Sequence, residues 1–174
     1  TQFIVDLVGP LLDLPPGTTV PDFGLAGISV VSVDDARLDR FVVSDNIISE
    51  QLIGVAGVAM LDGKINNGVI SGNTIDYGVL GIGVGGFLGG DAQDLEITGN
   101  TLNGFGMDIS GGVDVFGLDL FTDKAAVGIG VFAIDGRAEG ADVTGNTVNN
   151  NEIGILLLDE DSGSVSGATE PNNY

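Results

Sequence analysis

A short phrase centred on an asparagine recurs four times along this chain and constrains its fold more than any other feature. The asparagines are Asn46, Asn73, Asn100 and Asn146. The first three lie 27 residues apart, and the fourth follows after 46 residues. A fixed period of this length is typical of a solenoid, in which each repeat forms one coil that stacks on the next. The sequence therefore predicts a repeat architecture.

A second mark, usually a glycine, falls eight residues after each of these asparagines. One further mark precedes the first asparagine, and one lies inside the 46-residue gap. The six marks are Gly27, Gly54, Gly81, Asp108, Gly128 and Gly154. We interpret the gap as hiding one shortened coil that has lost its asparagine phrase. The marks then predict about six coils.

Short segments of alternating residues surround the marks, as in Leu80-Gly81-Ile82-Gly83-Val84. This alternation is the period of a β-strand. Superimposing the coils at their marks brings like residues into columns, one of which comprises Ile28, Val55, Ile82, Ile109, Ile129 and Ile155. Such columns suit a parallel sheet, in which equivalent strands lie ~4.8 Å apart. One coil cannot bury its apolar side alone, so stacking would complete the core.

The repeats, of the form hydrophobic-Ser/Thr-Gly-Asn-Thr-hydrophobic followed by Gly-Ile-x-Val, resemble those of right-handed parallel β-helix proteins of the pectate-lyase-like group. The resemblance covers about residues 21–159 and implies an all-β fold, a right-handed parallel β-helix (β-solenoid). In such proteins asparagines of this kind point inward and bond to neighbouring coils. We therefore expect Asn46, Asn73, Asn100 and Asn146 to form a structural ladder of hydrogen bonds between coils. The alternative is a row of exposed amides that bind a ligand.

Residues 1–20 lie outside the repeat, and residues 21–174 form the predicted β-helix. This N-terminal extension is apolar on both strand faces, which favours burial on both sides. Its predicted assembly strand comprises Phe3, Val5, Leu7, Leu11 and Leu12. Two interpretations stay open, a cap over the first coil and a strand that docks on another subunit. The segment is too short and too interrupted to span a bilayer, so we expect no membrane insertion.

A recurrent turn places an aspartate two residues before a lysine or arginine in three coils. Its members are Asp35, Arg37, Asp62, Lys64, Asp135 and Arg137, with Asp91-Ala92-Gln93 as a shifted relative. The resemblance to β-helix lyases implies one interpretation, a strip that binds uronates through calcium and abstracts a proton with Arg or Lys. The other is a structural charge ladder, in which columns of opposite sign offset like-charge repulsion. Recurrence from coil to coil favours the structural interpretation.

Composition narrows the classes of partner. The chain has 25 acidic and 5 basic residues, so it lacks the clustered Lys and Arg that a nucleic acid or an anionic membrane requires. It contains no cysteine and no histidine, which excludes disulfides, Cys/His zinc sites and His-based catalysis. The acidic run Asp159, Glu160 and Asp161 could hold Ca²⁺, with a solvated loop as the alternative. We expect no other cofactor.

The links between the marks are short and uniform, whereas enzymes of the resembled group generally have long loops that wall a cleft. We therefore predict a non-enzymatic structural protein, extracellular or on the cell surface, whose partner is itself. Its coils would stack end to end, into a filament, with the N-terminal strand docking at the joint. Two alternatives remain, a Ca²⁺-dependent polysaccharide lyase or epimerase and an adhesin that binds an extracellular glycan. The irregular stretch 103–127 is where we expect a binding face.

Overall fold

The computed structural model describes residues 24–104, 113–115, 118–121, 127–160 and 164–166. Within these ranges the regular structure is entirely β-strand, without a helix, and the strands form a parallel β-solenoid. The all-β solenoid predicted from the repeat is therefore confirmed. The N-terminal extension and its assembly strand lie outside the described residues.

Three parallel sheets run along the column, and their strands are numbered in chain order. The long sheet contains β1 (Gly24–Val33), β4 (Ile47–Met60), β7 (Thr74–Phe87), β10 (Thr101–Gly104), β13 (Val127–Ile134), β16 (Thr147–Asn149) and β17 (Ile153–Glu160). The second sheet contains β2 (Arg37–Asp39), β5 (Lys64–Asn66), β8 (Asp91–Gln93), β14 (Arg137–Glu139) and β18 (Ser164–Ser166). The third sheet contains β3 (Val42–Ser44), β6 (Val69–Ser71), β9 (Glu96–Thr98) and β15 (Asp142–Thr144).

Each coil supplies strands to all three sheets. Coil one consists of β1–β3, coil two of β4–β6, coil three of β7–β9, and coil four of β10 with β13–β15. Strands β16–β18 begin a further coil, called the last coil below. A separate antiparallel hairpin pairs β11 (Val113–Val115) with β12 (Leu118–Phe121). It belongs to an excursion, residues 105–126, between β10 and β13.

The prediction of six coils is wrong, because the described strands make about four turns. Strand β10 pairs with β7 through Thr101 and Thr74, and β13 pairs with the same β7 through Val127 and Leu80. No coil therefore fits between coils three and four. The 46-residue gap is one coil interrupted by the excursion, and not two coils. The predicted mark at Asp108 and the column member Ile109 fall within that excursion, outside the described residues.

The core lies inside the column and consists of stacked aliphatic residues. Val55, Ile82 and Ile129 are register neighbours on successive coils, and each has 0% of its surface exposed. The glycine marks have a steric cause at the bend beside this column. A Cβ added at Gly81 would overlap the carbonyl oxygen of Gly128 and the side chain of Leu102. Only glycine leaves room for adjacent coils to approach at this bend.

The outer face of the long sheet is also apolar where β7 and β13 lie side by side. This outer apolar face consists of Val79, Leu80, Phe87, Val127, Phe132 and Ile134, all buried. The rings of Phe87 and Phe132 lie 6.3 Å apart between centroids. At the register position of Phe132, coil one carries Val31, which is 51% exposed. The columns of like residues in the sequence predict the inner core but not this second cluster.

Candidate functional site

The four asparagines of the repeated phrase lie in one column, called the asparagine ladder below. Asn73 donates from its backbone N–H and from Nδ2 to Oδ1 of Asn100, at 3.0 and 2.9 Å. Asn100 makes the same two bonds to Oδ1 of Asn146, at 3.0 and 2.9 Å. These three side chains are buried, with at most 1% exposure. Their amides therefore bond between coils and are inaccessible to a ligand.

Each buried rung also reaches back to the preceding coil. Nδ2 of Asn73 donates to the carbonyl of Val43 at 2.9 Å, and Nδ2 of Asn100 donates to the carbonyl of Ile70 at 2.9 Å. A carbonyl inside the column would otherwise be left without a partner, at a cost of about 1–3 kcal/mol. One side chain thus connects three successive coils.

The first rung, Asn46, has a different set of partners. It donates from its backbone N–H and from Nδ2 to Oδ1 of Asn73, both at 3.0 Å, as the other rungs do. Its Nδ2 reaches Ser44 of its own coil at 3.0 Å, instead of a preceding coil. Among the described residues, no group donates to Oδ1 of Asn46. Within the described part of the chain, the ladder therefore begins with an acceptor that receives no hydrogen bond, at a half-buried position.

The predicted charge strip separates into two kinds of position. Asp35, Asp62 and Asp135 occupy turns with φ of 58°, 64° and 46°, the left-handed region that aspartate tolerates better than most residues. In coil three a glycine, Gly89, takes the corresponding turn with φ of 87°. These aspartates are exposed, and their turn conformation accounts for their recurrence without a catalytic role.

The basic members of the strip are register neighbours on the second sheet. The order along the column is Arg37, Lys64, Asp91 and Arg137. The sequence predicts Asp91 to be a shifted relative of the turn aspartates, whereas its strand position is the one that Lys64 and Arg137 occupy. A carboxylate thus stands between two cations on adjacent strands. Aligning the coils by strand instead of by turn would have revealed this order.

One ion pair stands at the start of this strip. Nε of Arg37 donates to Oδ2 of Asp39 at 2.9 Å, and Nδ2 of Asn66 donates to Oδ1 of the same carboxylate at 3.0 Å. The hydrogen bond from Arg37, followed by that from Asn66, lowers the pKa of Asp39 below its ordinary value. Both charged side chains are about half exposed or more, at 61% and 48%. The pair therefore holds these two surface side chains together but adds little to the free energy of unfolding.

A polar groove of about 470 Å³ opens beside the start of the long sheet. Its lining residues are Ser49, Glu50, Asp76, Asn103, Gly104 and Asn150. Nδ2 of Asn103 donates to Oδ1 of Asp76 at 3.0 Å, and Nδ2 of Asn149 donates to Oδ1 of Asn103 at 3.1 Å. This second row of polar side chains lies three residues after the ladder asparagines. This row was not predicted from the sequence, although Asp76 and Asn103 share the 27-residue period of the ladder.

Several predicted site residues fall at or beyond the limits of the described chain. Asp159 is exposed near the end of β17, Glu160 is the last residue of that strand, and Asp161 lies outside the described residues. Within the described ranges, no three Asp, Glu, His or Cys side chains are grouped closely enough to hold a metal ion. Calcium binding by this acidic run stays a prediction. In the same part of the chain, no helix has the length and apolarity needed to cross a membrane.

No known protein family, curated protein or solved structure matches the chain. Its buried asparagine amides bond between coils, and accessible polar side chains line the groove. The features without a partner inside the described molecule are the first rung of the ladder and the two ends of the core.

Proposed function

We propose that this protein is a non-enzymatic extracellular structural or surface protein that assembles with copies of itself by stacking its coils end to end. The observation that carries this proposal is the exposure of the core at both end coils. Ile28 in coil one and Ile155 in the last coil are only partly buried, whereas their column neighbours between them are fully buried. Covering both ends with apolar residues would bury this surface.

Open strand edges support the same proposal. Among the described strands, β1 pairs only with β4, and β17 pairs only with β13. As far as the described residues go, each of these end strands therefore leaves backbone N–H and C=O groups unpaired along one edge. Such an edge is a template for another strand. Because the two ends of a parallel column differ, contact between them is heterologous and grows into an open filament.

The repeat pattern and the parallel solenoid together support membership in the right-handed, pectate-lyase-like group of β-helices. That group includes surface proteins as well as enzymes, so membership would not fix the activity. The apolar N-terminal segment, residues 3–14, is the proposed docking strand at the joint between copies. Its two apolar faces suit burial across the joint, beside the stacked end coils.

Light scattering of the purified chain during size-exclusion chromatography tests the proposal. The expected result is a molar mass that rises in multiples of the 17.6 kDa chain with concentration, with filaments visible by negative-stain electron microscopy. A species that stays monomeric at the highest attainable concentration, at both low and high salt, would overturn the proposal.

Glycan binding is a second candidate, and the polar groove is the observation that favours it. Glu50, Asp76 and Asn103 bring carboxylate and amide groups that can hydrogen-bond sugar hydroxyls. Titration of neutral and uronate oligosaccharides, with and without Ca²⁺, should then shift backbone NMR signals of these residues. Release of unsaturated product from a uronate polymer would instead indicate the lyase alternative. Unchanged signals and no product would exclude both.

A further inference from the structure

The glycine marks that the structure retains form a glycine column at the bend of the long sheet. Its members are Gly27, Gly54, Gly81, Gly128 and Gly154. A Cβ added at one member would overlap the carbonyl oxygen of the next member along the column. The overlap joins Gly27 to Gly54, Gly54 to Gly81, Gly81 to Gly128, and Gly128 to Gly154. In each of these four positions, the neighbouring coil explains the glycine.

Gly154 ends this column and has no such explanation within its own molecule. Among the described residues, no heavy atom lies within 4 Å of the Cβ position at Gly154. Gly154 is exposed, whereas Gly54, Gly81 and Gly128 are buried. Its φ does not lie in the left-handed region, so backbone conformation does not require a glycine either. A glycine here is what a following coil would require.

Coil one offers the matching features at the other end of the column. Gly27 is exposed, and it is followed by Ile28 as Gly154 is followed by Ile155. Inside the column, Ile28 already packs in register with Val55, and Ile129 with Ile155. Ile155 therefore has an isoleucine, Ile129, as its neighbour inside the column, and Ile28 of a second copy would give it a neighbour of the same type on its other side.

We propose that the last coil of one copy receives coil one of a second copy in the register used inside the column. Gly154 then packs against the carbonyl of Gly27 of the second copy, and Ile155 packs on its Ile28. This inference rests on the proposed self-assembly and adds the direction and register of the contact. The joint is head to tail, and β17 pairs with β1 of the second copy as β13 pairs with β17.

The asparagine ladder continues across the same joint. Inside the column, each rung after the first receives two donors from the coil before it, and Asn46 lacks them among the described residues. In the joint, Oδ1 of Asn46 accepts from the copy that precedes it.

Substitution of Gly154 tests the register. The variant Gly154→Ala should keep the melting temperature of the monomer, because its methyl group enters open space. It should raise the concentration needed for assembly by tenfold or more, because the same methyl group overlaps the Gly27 carbonyl of the second copy. Thr74→Ala, at an exposed position of coil three, is the neutral control and should assemble normally. Normal assembly of Gly154→Ala would overturn the proposed register.

Cysteine cross-linking tests the direction independently. Val31 and Leu158 occupy the same outer column at opposite ends, and the chain contains no cysteine of its own. In the proposed joint, their Cα atoms would lie ~4.8 Å apart, within the range that a disulfide bridges. A mixture of Val31→Cys and Leu158→Cys should give covalent dimers under mild oxidation, and neither variant alone should do so.

The outcomes separate this inference from the proposed function. Dimers from Val31→Cys alone, or from Leu158→Cys alone, would show a symmetric contact and overturn the head-to-tail joint while self-assembly stands. If no variant and no wild-type sample forms oligomers, the proposed function itself fails. The double variant Val31→Cys/Leu158→Cys should give a ladder of covalent oligomers, which indicates a head-to-tail filament when neither single variant dimerises alone.

Discussion

Asn73 donates two hydrogen bonds to a single oxygen, Oδ1 of Asn100, at 3.0 Å from its backbone N–H and at 2.9 Å from Nδ2. The second proton of the same Nδ2 serves the carbonyl of Val43 in the preceding coil, at 2.9 Å. Oδ1 of Asn73 accepts from the backbone N–H and Nδ2 of Asn46, so this one buried amide links three successive coils. Removing one member of such a buried network lowers stability strongly, because each lost hydrogen bond leaves a buried polar group that water cannot reach.

The variant Asn100→Ala should lower the free energy of unfolding by about 3–5 kcal/mol, because it strands several buried groups of adjacent coils. The matched control is Asn46→Ala at the half-buried first rung, whose Oδ1 accepts nothing among the described residues. That control should cost about 1 kcal/mol. Urea denaturation followed by circular dichroism measures both. Equal losses for the two variants would mean that the ladder does not stabilise the interior as argued.

The sequence predicted the parts of this fold that repeat with the chain, because identical residues at one period must occupy identical places in a stack. The ladder asparagines and the inner column through Val55 and Ile82 are of this kind. The count of coils failed, since the bond between Asn100 and Asn146 spans 46 residues. A spacing alone cannot distinguish an extra coil from an excursion, whereas the pairing of β13 with β7 can.

The candidate site was predicted less completely than the fold. Asp91 was misplaced because the turn before it contains Gly89 where other coils have aspartate. An alignment by turns therefore matched Asp91 with the turn aspartates instead of with the strand position that follows them. The polar row through Asp76 and Asn103 was missed because its members differ in type, although they share a position. The outer apolar face depends on what lies outside the column, which alternation along one strand does not encode.

The outer apolar face should contribute to stability as much as a core position does. Phe132 is 6% exposed and contacts Phe87 across adjacent coils. We expect Phe132→Ala to lower the free energy of unfolding by about 3–5 kcal/mol through lost burial and a residual cavity. The same-column control Val31→Ala, at a position 51% exposed, should cost under about 1 kcal/mol. A small loss for Phe132→Ala would show that the face is accessible to water in solution.

Tyr77 should tolerate the loss of its hydroxyl group. The side chain is fully buried, and in the described part of the molecule its hydroxyl has no hydrogen-bond partner. Since an unpaired buried hydroxyl costs about 1–3 kcal/mol, Tyr77→Phe should leave stability unchanged or raise it by about 1 kcal/mol. Tyr77→Ala is the contrast, with an expected loss of about 3–5 kcal/mol from the cavity. A clear loss of stability in Tyr77→Phe would reveal a bonded hydroxyl.

Burial also gives this tyrosine a pH dependence. It raises the pKa of the Tyr77 phenol above its ordinary value, so the folded protein favours the neutral form. The stability that depends on this neutral form is complete below pH about 10 and is lost as the pH rises further. The free energy of unfolding, measured by denaturation between neutral pH and pH about 11, should therefore fall more steeply with pH for wild type than for Tyr77→Phe. Parallel curves would assign the alkaline loss to other groups.

The surface pair of Arg37 and Asp39 predicts a measurable titration shift. Hydrogen bonds from Arg37 and from Asn66 lower the pKa of Asp39. The small stabilisation from this pair is therefore present above the ordinary carboxyl pKa of about 4 and is lost as the pH falls through the lowered pKa. NMR titration of the Asp39 carboxyl carbon should show a higher pKa in Arg37→Ala than in wild type. Arg137→Ala, on the same sheet but in coil four, is the control and should leave Asp39 unshifted.

Self-assembly of so acidic a chain should depend strongly on salt. Each copy carries a formal net charge of −20, so two copies repel each other as their end coils approach. Screening shortens the range of this repulsion from ~30 Å at 0.01 M salt to ~10 Å at 0.1 M, whereas the proposed apolar contact between Ile155 and Ile28 would not be weakened. The mean assembly size measured by light scattering should therefore rise from low to moderate NaCl.

CaCl₂ at equal ionic strength distinguishes screening from specific binding, since a larger rise with calcium would indicate bound ions at the acidic run. Assembly that weakens as NaCl rises would show that ion pairs, rather than apolar coil ends, hold the copies together.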